Sequence, residues 1–183
     1  AALPGSTIEV TNVGLNGSRT GFLGLLRRFG ADVVLDVTDE DDGEPIGTLR
    51  VTGHGLGSLT VTPAEVPDVI DELPVLAAMA ASGGELHVTG AGELRVKESD
   101  RITALVTGLR ALGADAEELP DGFHVRGTGP IAGGTADAHG DHRLAMAFAI
   151  AALGAAGPCT ITGGDVVAVS YPTFFGDLDR LRA

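Results

Sequence analysis

Two helix-forming segments without a polar face constrain this chain most. Leu73-Pro74-Val75-Leu76-Ala77-Ala78-Met79-Ala80-Ala81 is apolar all round, with Pro74 where a first helical turn tolerates it. His142 to Leu153 is also apolar all round beyond its first two residues. A helix with no solvated face is buried on every side. The sequence therefore predicts inner helices wrapped by sheets and by helices of another kind.

That wrapping is legible around them. Three stretches run in one order: a Gly-bounded strand, a polar turn, then an amphipathic helix. The first is Gly5 to Val10, then Asn16-Gly17-Ser18, then Phe22, Leu25, Leu26 and Phe29 before Gly30. The second is Gly84 to Val88, then Leu94 to Ser99, then Ile102, Leu105, Leu109 and Leu112 before Gly113. The third is Gly157 to Thr162, a turn at Gly163-Gly164, then Phe174, Leu178 and Leu181. The first two helices end alike, in Phe29-Gly30-Ala31-Asp32 and Leu112-Gly113-Ala114-Asp115. A period of roughly 80 residues suits a βαβ-type subdomain and is too long for a solenoid unit. The expected organisation is one α/β (α+β) domain over 1–183, with approximate repeats 5–83, 84–156 and 157–183, the last incomplete. The acid-rich Asp36 to Glu44 reads as a turn between strands; its spacing is wrong for a calcium loop.

Composition sets the chemistry of the partners. With no Trp and one Tyr, the 44% hydrophobic content must pack as Ala, Val, Leu and Ile. A formal charge of −13 repels nucleic acid and anionic membranes and excludes both as partners. It also makes any cluster of cations informative. A lone Cys159 allows no internal disulfide and fits a reducing compartment. The longest apolar stretch, Leu144 to Ala156, falls well short of the roughly 20 residues that cross a bilayer. With no secretory leader at its start, the chain is expected to be cytoplasmic. Ala1-Ala2-Leu3-Pro4-Gly5 reads like the tail of an apolar helix ended by Pro-Gly, as in a piece of a longer protein.

Cations do stand out at two helix starts. Lys97, Glu98 and Arg101 sit where a strand is expected to become a helix, with Glu98 and Arg101 at i, i+3. Asp141-His142-Arg143 opens the second apolar helix. A helix N-terminus disfavours each cation by roughly 0.3–1 kcal/mol, so these positions require a compensating anion. Two readings satisfy that requirement: a bound carboxylate or phosphate, or salt bridges within the protein. Asp71-Glu72 precedes the first apolar helix. These residues suit either N-terminal capping or a carboxylate held at the mouth of a buried helix as a base.

These motifs resemble those of the 5-enolpyruvylshikimate-3-phosphate synthase family. Leu94-Arg95-Val96-Lys97-Glu98-Ser99-Asp100-Arg101 is similar to the family signature, approximately L-R-V-K-E-[ST]-D-R-I. Gly140 to Ala147, Ser170 to Phe175 and Ile70 to Val75 look like three more of its motifs, in the right order. The related transferase acting on UDP-N-acetylglucosamine lacks these signatures, and Cys159 does not sit in its reactive-cysteine loop. The resemblance implies an enolpyruvyl-transferase-like domain of repeated βαβαββ units, with buried inner helices and mixed sheets outside. It also implies that a second, N-terminal domain and the strands completing the third unit lie elsewhere in a full-length enzyme.

The implied reaction moves the enolpyruvyl group of phosphoenolpyruvate to the 5-hydroxyl of shikimate 3-phosphate and releases phosphate. On the matching motifs, the resemblance implies that Asp71 is the base near the hydroxyl and that Glu98 exchanges the proton at the methylene carbon. It implies that Arg101 and Arg143 grip the phosphoenolpyruvate carboxylate, Lys97 reaches the shikimate phosphate side and His142 assists at the reacting phosphate. It implies no metal and no organic cofactor. Many relatives have a Lys two residues before the aromatic-Pro pair; here that position is Val169. One competing reading is an anion-binding module of the same fold without turnover. Another is a metal hydrolase on His139, Asp141 and His142, which adjacent residues at a helix start, pointing apart, argue against.

Overall fold

A computed structural model describes residues 2–182. It contains nine strands and six helices among the described residues, arranged as three sheets around a shared core. The first sheet, in the order β1-β3-β2, is antiparallel and comprises β1 (Thr7–Gly14), β2 (Asp32–Asp41) and β3 (Glu44–Thr52). Helix α1 (Gly21–Phe29) lies between β1 and β2 and buries Leu23, Leu25, Leu26 and Phe29. The expected turn over Asp36 to Glu44 is shorter than its acidity suggested. Strand β2 runs to Asp41, and only Asp42 and Gly43 turn, both with positive φ (48° and 85°). That pair of left-handed residues is what a two-residue hairpin needs, and the acidic residues beside it are exposed strand.

The second sheet, β4-β5-β7-β6, comprises β4 (Ser58–Val61), β5 (Glu85–Val88), β6 (Asp115–Leu119) and β7 (Gly122–Arg126). Its inner face carries Leu59, Val61, Leu86, Val88, Phe123 and Val125, all buried. The short helix α2 (Val66–Val69) and then α3 (Leu73–Ala81) join β4 to its parallel neighbour β5. Helix α4 (Arg101–Ala111) follows. The third sheet pairs β8 (Gly134–Asp137) in parallel with β9 (Cys159–Thr162). These strands are joined by α5 (His142–Ala152), and α6 (Phe174–Arg182) comes last.

The two apolar helices are therefore crossovers, and this moves the repeat boundaries. Parallel strands cannot be joined by a hairpin and need a connection long enough for a helix. Strand β4 belongs with β5 and β8 with β9, so the divisions expected at 83/84 and 156/157 each cut through a sheet. Among the described residues the one complete βαβαββ run is β4-α3-β5-α4-β6-β7, spanning 58–126. Two further expectations are corrected. Residues 3–5 form a turn ahead of β1, not a helix end, while Ala1 lies outside the described residues. Leu94 to Val96 belong to a 3-10 turn (Gly92–Val96), so the signature leaves a tight turn and not a strand.

Helices α3 and α5 pack against each other at the centre, as their lack of polar faces requires. Leu73, Leu76 and Ala77 of α3, with Leu144, Ala147 and Phe148 of α5, are within 1% of full burial. Helix α4 comes close enough to α5 that Gly108 has no room for a side chain. A Cβ there would stand 2.2 Å from Cζ of the buried Phe148. We predict that Gly108→Ala destabilises the protein by about 1–3 kcal/mol through overpacking. A lowered thermal midpoint checks this, and an unchanged or raised midpoint would contradict it. Among the described residues no helix is long and apolar enough to cross a membrane.

Candidate active site

The inner helices bring two of their N-termini and the start of α4 to one place, and there the charged residues meet. Arg101 is the first residue of α4 and is 1% exposed. Asp141 caps α5 and is fully buried. Arg101 Nε donates to Asp141 Oδ2 at 2.6 Å, and its Nη2 reaches Asp141 Oδ1 at 3.4 Å. On its other side Arg101 Nη1 contacts Asp71 Oδ1 at 3.3 Å, and Nη2 donates to Glu98. Arg143, in the first turn of α5, donates to Asp71 Oδ2 at 3.0 Å and to the Asp71 carbonyl at 3.1 Å. Asp71 thus bridges two guanidinium groups, one oxygen to each.

The chain enters α5 through an unusual backbone. His139 adopts φ 52°, a left-handed conformation, and its N–H donates to Asp137 Oδ1 at 2.7 Å. That turn delivers Asp141 to the helix start, where it accepts from the N–H groups of Arg143 (2.9 Å) and Leu144 (3.4 Å). Burial works to raise the Asp141 carboxyl. The Arg101 hydrogen bonds and charge, together with the two helix N–H groups, outweigh it and hold the group below its ordinary range. It is an ionised carboxylate in a dry setting, matched by one buried cation.

The compensating anions that the helix starts require are therefore the protein's own carboxylates. Four of the six candidate residues, Asp71, Glu98, Arg101 and Arg143, come together in one network. Lys97 does not join them and pairs with Glu93 one turn back. His142 is half-buried and makes no side-chain hydrogen bond among the described residues. Asp71 does not cap α3: Glu72 is the N-cap residue, and no side chain bonds that helix start. Val169, where relatives of the resembled family carry Lys, is 80% exposed. His139, Asp141 and His142 form no metal cluster, and no group of three such ligands occurs among the described residues. The physical reason is that Asp141 points into the core while His139 is exposed.

The signature itself divides into two jobs. Arg95 and Asp100 are structural. Arg95 pairs with Asp100 and Glu118 at 2.9 Å each and donates to the carbonyls of Leu119 and Pro120, pinning the 3-10 turn to the β6-β7 hairpin. Asp100 caps α4 through Thr103 N–H at 3.1 Å. Glu98, Ser99 and Arg101 face the site instead. Asp141 is the residue that reading along the chain did not place there. The signal available was its position, an acid directly before His142 and the cation Arg143 at the start of an apolar helix.

The fold defines the class: an enolpyruvyl-transferase-like domain. The enolpyruvyl transferase NikO from Streptomyces tendae superposes with a TM-score of 0.66 over 97% of this chain at 24% identity, a likeness of fold alone. EPSP synthase from Acinetobacter baumannii superposes with a TM-score of 0.90 at 39% identity, covering 97% of this chain and 42% of that one. The family model for EPSP synthase (3-phosphoshikimate 1-carboxyvinyltransferase) matches residues 1–178, and this chain belongs to that family. A 3-phosphoshikimate 1-carboxyvinyltransferase of Carboxydothermus hydrogenoformans is 47% identical over 180 residues. The match takes in 98% of this chain and 42% of that relative, so the chain spans well under half the length of the curated relatives it matches.

Proposed function

We propose that this chain forms one half of an enzyme that transfers the enolpyruvyl group of phosphoenolpyruvate to the 5-hydroxyl of shikimate 3-phosphate. The observation that carries the reading is the convergence of Arg101 and Arg143 on a single carboxylate, Asp71, beside Glu98. Two planar forks aimed at one carboxylate make a geometry in which a substrate carboxylate can replace the protein's own. Displaced from the arginines, Asp71 becomes available as a base.

In this reading Asp71 takes the proton of the 5-hydroxyl as its oxygen adds to C2 of phosphoenolpyruvate, and Glu98 protonates the methylene carbon. Glu98 then recovers a proton from the resulting methyl group as the C–O bond to phosphate breaks. The double bond re-forms, and phosphate leaves with the proton that Asp71 had taken from the hydroxyl. Arg101 and Arg143 hold the carboxylate throughout, and His142 assists at the departing phosphate. Lys97 turns from Glu93 toward the shikimate phosphate side. The other wall of the site belongs to the remainder of the longer protein, whose partnership with this chain is part of the proposal. A cytoplasmic setting fits the acidic, single-cysteine composition.

The test is direct. The complete protein, supplied with both substrates, should release phosphate and form the enolpyruvyl ether, whereas residues 1–183 alone should show negligible turnover. No phosphate release by the complete protein would overturn the reading. Binding of phosphoenolpyruvate without turnover would favour the anion-binding module instead.

A further inference from the structure

We propose that Asp141 is the positioning residue for Arg101: its buried carboxylate takes one edge of the guanidinium and so turns the other toward the incoming substrate carboxylate. The inference rests on the function proposed above. A guanidinium offers one edge formed by Nε with Nη2 and another formed by Nη1 with Nη2. Asp141 occupies the first, at 2.6 Å and 3.4 Å. The second edge meets Asp71 and Glu98, whose side chains are 41% and 53% exposed. One edge is therefore anchored in the core, and the other faces the solvent side of the site.

Asp141 is itself locked. Ser99 Oγ approaches Oδ2 at 3.3 Å, and the N–H groups of Arg143 and Leu144 hold Oδ1. Because it also starts α5, the same side chain sets where Arg143 leaves that helix. A buried ion pair is weak support for stability, since desolvating two charges offsets much of their attraction. Holding a fork within tenths of an ångström of its working geometry is a use that an apolar pair in the same space could not serve.

The cap and the positioning role are separable, because Asn caps a helix about as well as Asp. Asp141→Asn in the complete protein keeps the cap but loses the charge that grips Arg101. KM for phosphoenolpyruvate should rise by about tenfold or more, since a misplacement of about 1 Å can cost up to 10²-fold. KM for shikimate 3-phosphate should stay within about twofold, and Asp141→Glu should recover part of the loss. An active variant whose two KM values are both unchanged, or rise together, overturns the inference and leaves the proposed function standing. A wild-type protein without transferase activity overturns both. If Asp141→Asn does not fold, Ser99→Ala carries the same test with a smaller rise. An unchanged KM for phosphoenolpyruvate in that variant overturns the inference.

Discussion

Glu98→Gln in the complete protein should lower kcat by roughly 10²–10⁴-fold, the range that a positioned proton-transfer group supplies. The substitution keeps the side chain's length and a hydrogen-bond acceptor for Arg101 Nη2, so the arginine stays in place. What it removes is the ability to give and recover a proton. Asp71→Asn should cost kcat on a similar scale for the matching reason at the hydroxyl. The two variants should differ in anion binding. Asp71 bridges both guanidinium groups, at 3.3 Å and 3.0 Å, and neutralising it removes the internal competitor of an entering carboxylate. Asp71→Asn should therefore bind phosphoenolpyruvate more tightly than the parent while turning it over far more slowly. Steady-state kinetics with titration of phosphoenolpyruvate read both quantities. Near-normal turnover in either variant would remove that residue from its proposed role.

Arg101→Met should destabilise the protein by about 3–5 kcal/mol, because it strands the fully buried Asp141 carboxylate without its cation. Much of that loss comes from the orphaned charge and little from the packing volume removed. The double replacement Arg101→Met with Asp141→Leu should accordingly recover most of it, since an apolar pair of similar size is often neutral or better in such a place. Urea or thermal midpoints of the parent, the single and the double variant make the comparison. A single variant as stable as the parent would show that water or relaxation reaches Asp141, contrary to the buried ion pair. The double variant should remain unable to turn substrate over, which separates stability from function at this position.

The helices and several strands were legible because their information is local. Apolar residues all round α3 and α5 required burial, and both helices lie at the centre. The period of α1 set its inward face, and its closing residue Gly30 sits at φ 115°, in the left-handed region. Most of the residues that meet in the candidate site stood out along the chain too, since cations at the starts of α4 and α5 oppose the helix dipole and so demand an explanation. The repeat boundaries were not legible. Strand pairing is a long-range choice, and a Gly-bounded strand looks the same whether it opens a unit or follows its crossover helix. The cap reading of Asp71-Glu72 failed for a related reason: an acid before a helix has a local use, and only its neighbours across the fold show whether it takes it.

By itself, then, the sequence determined the inner helices, the amphipathic wrapping and the signature from Leu94 to Arg101, because periodicity and motif order are written along the chain. Tertiary structure decided who answers the cations. Asp71 lies 30 residues from Arg101 and 72 from Arg143, and Asp141 lies 40 from Arg101. Those separations close only when α3, α4 and α5 pack with their starts together. A helix terminus announces that it wants an anion, but whether that anion is a ligand or the protein's own carboxylate depends on which termini the core sets side by side.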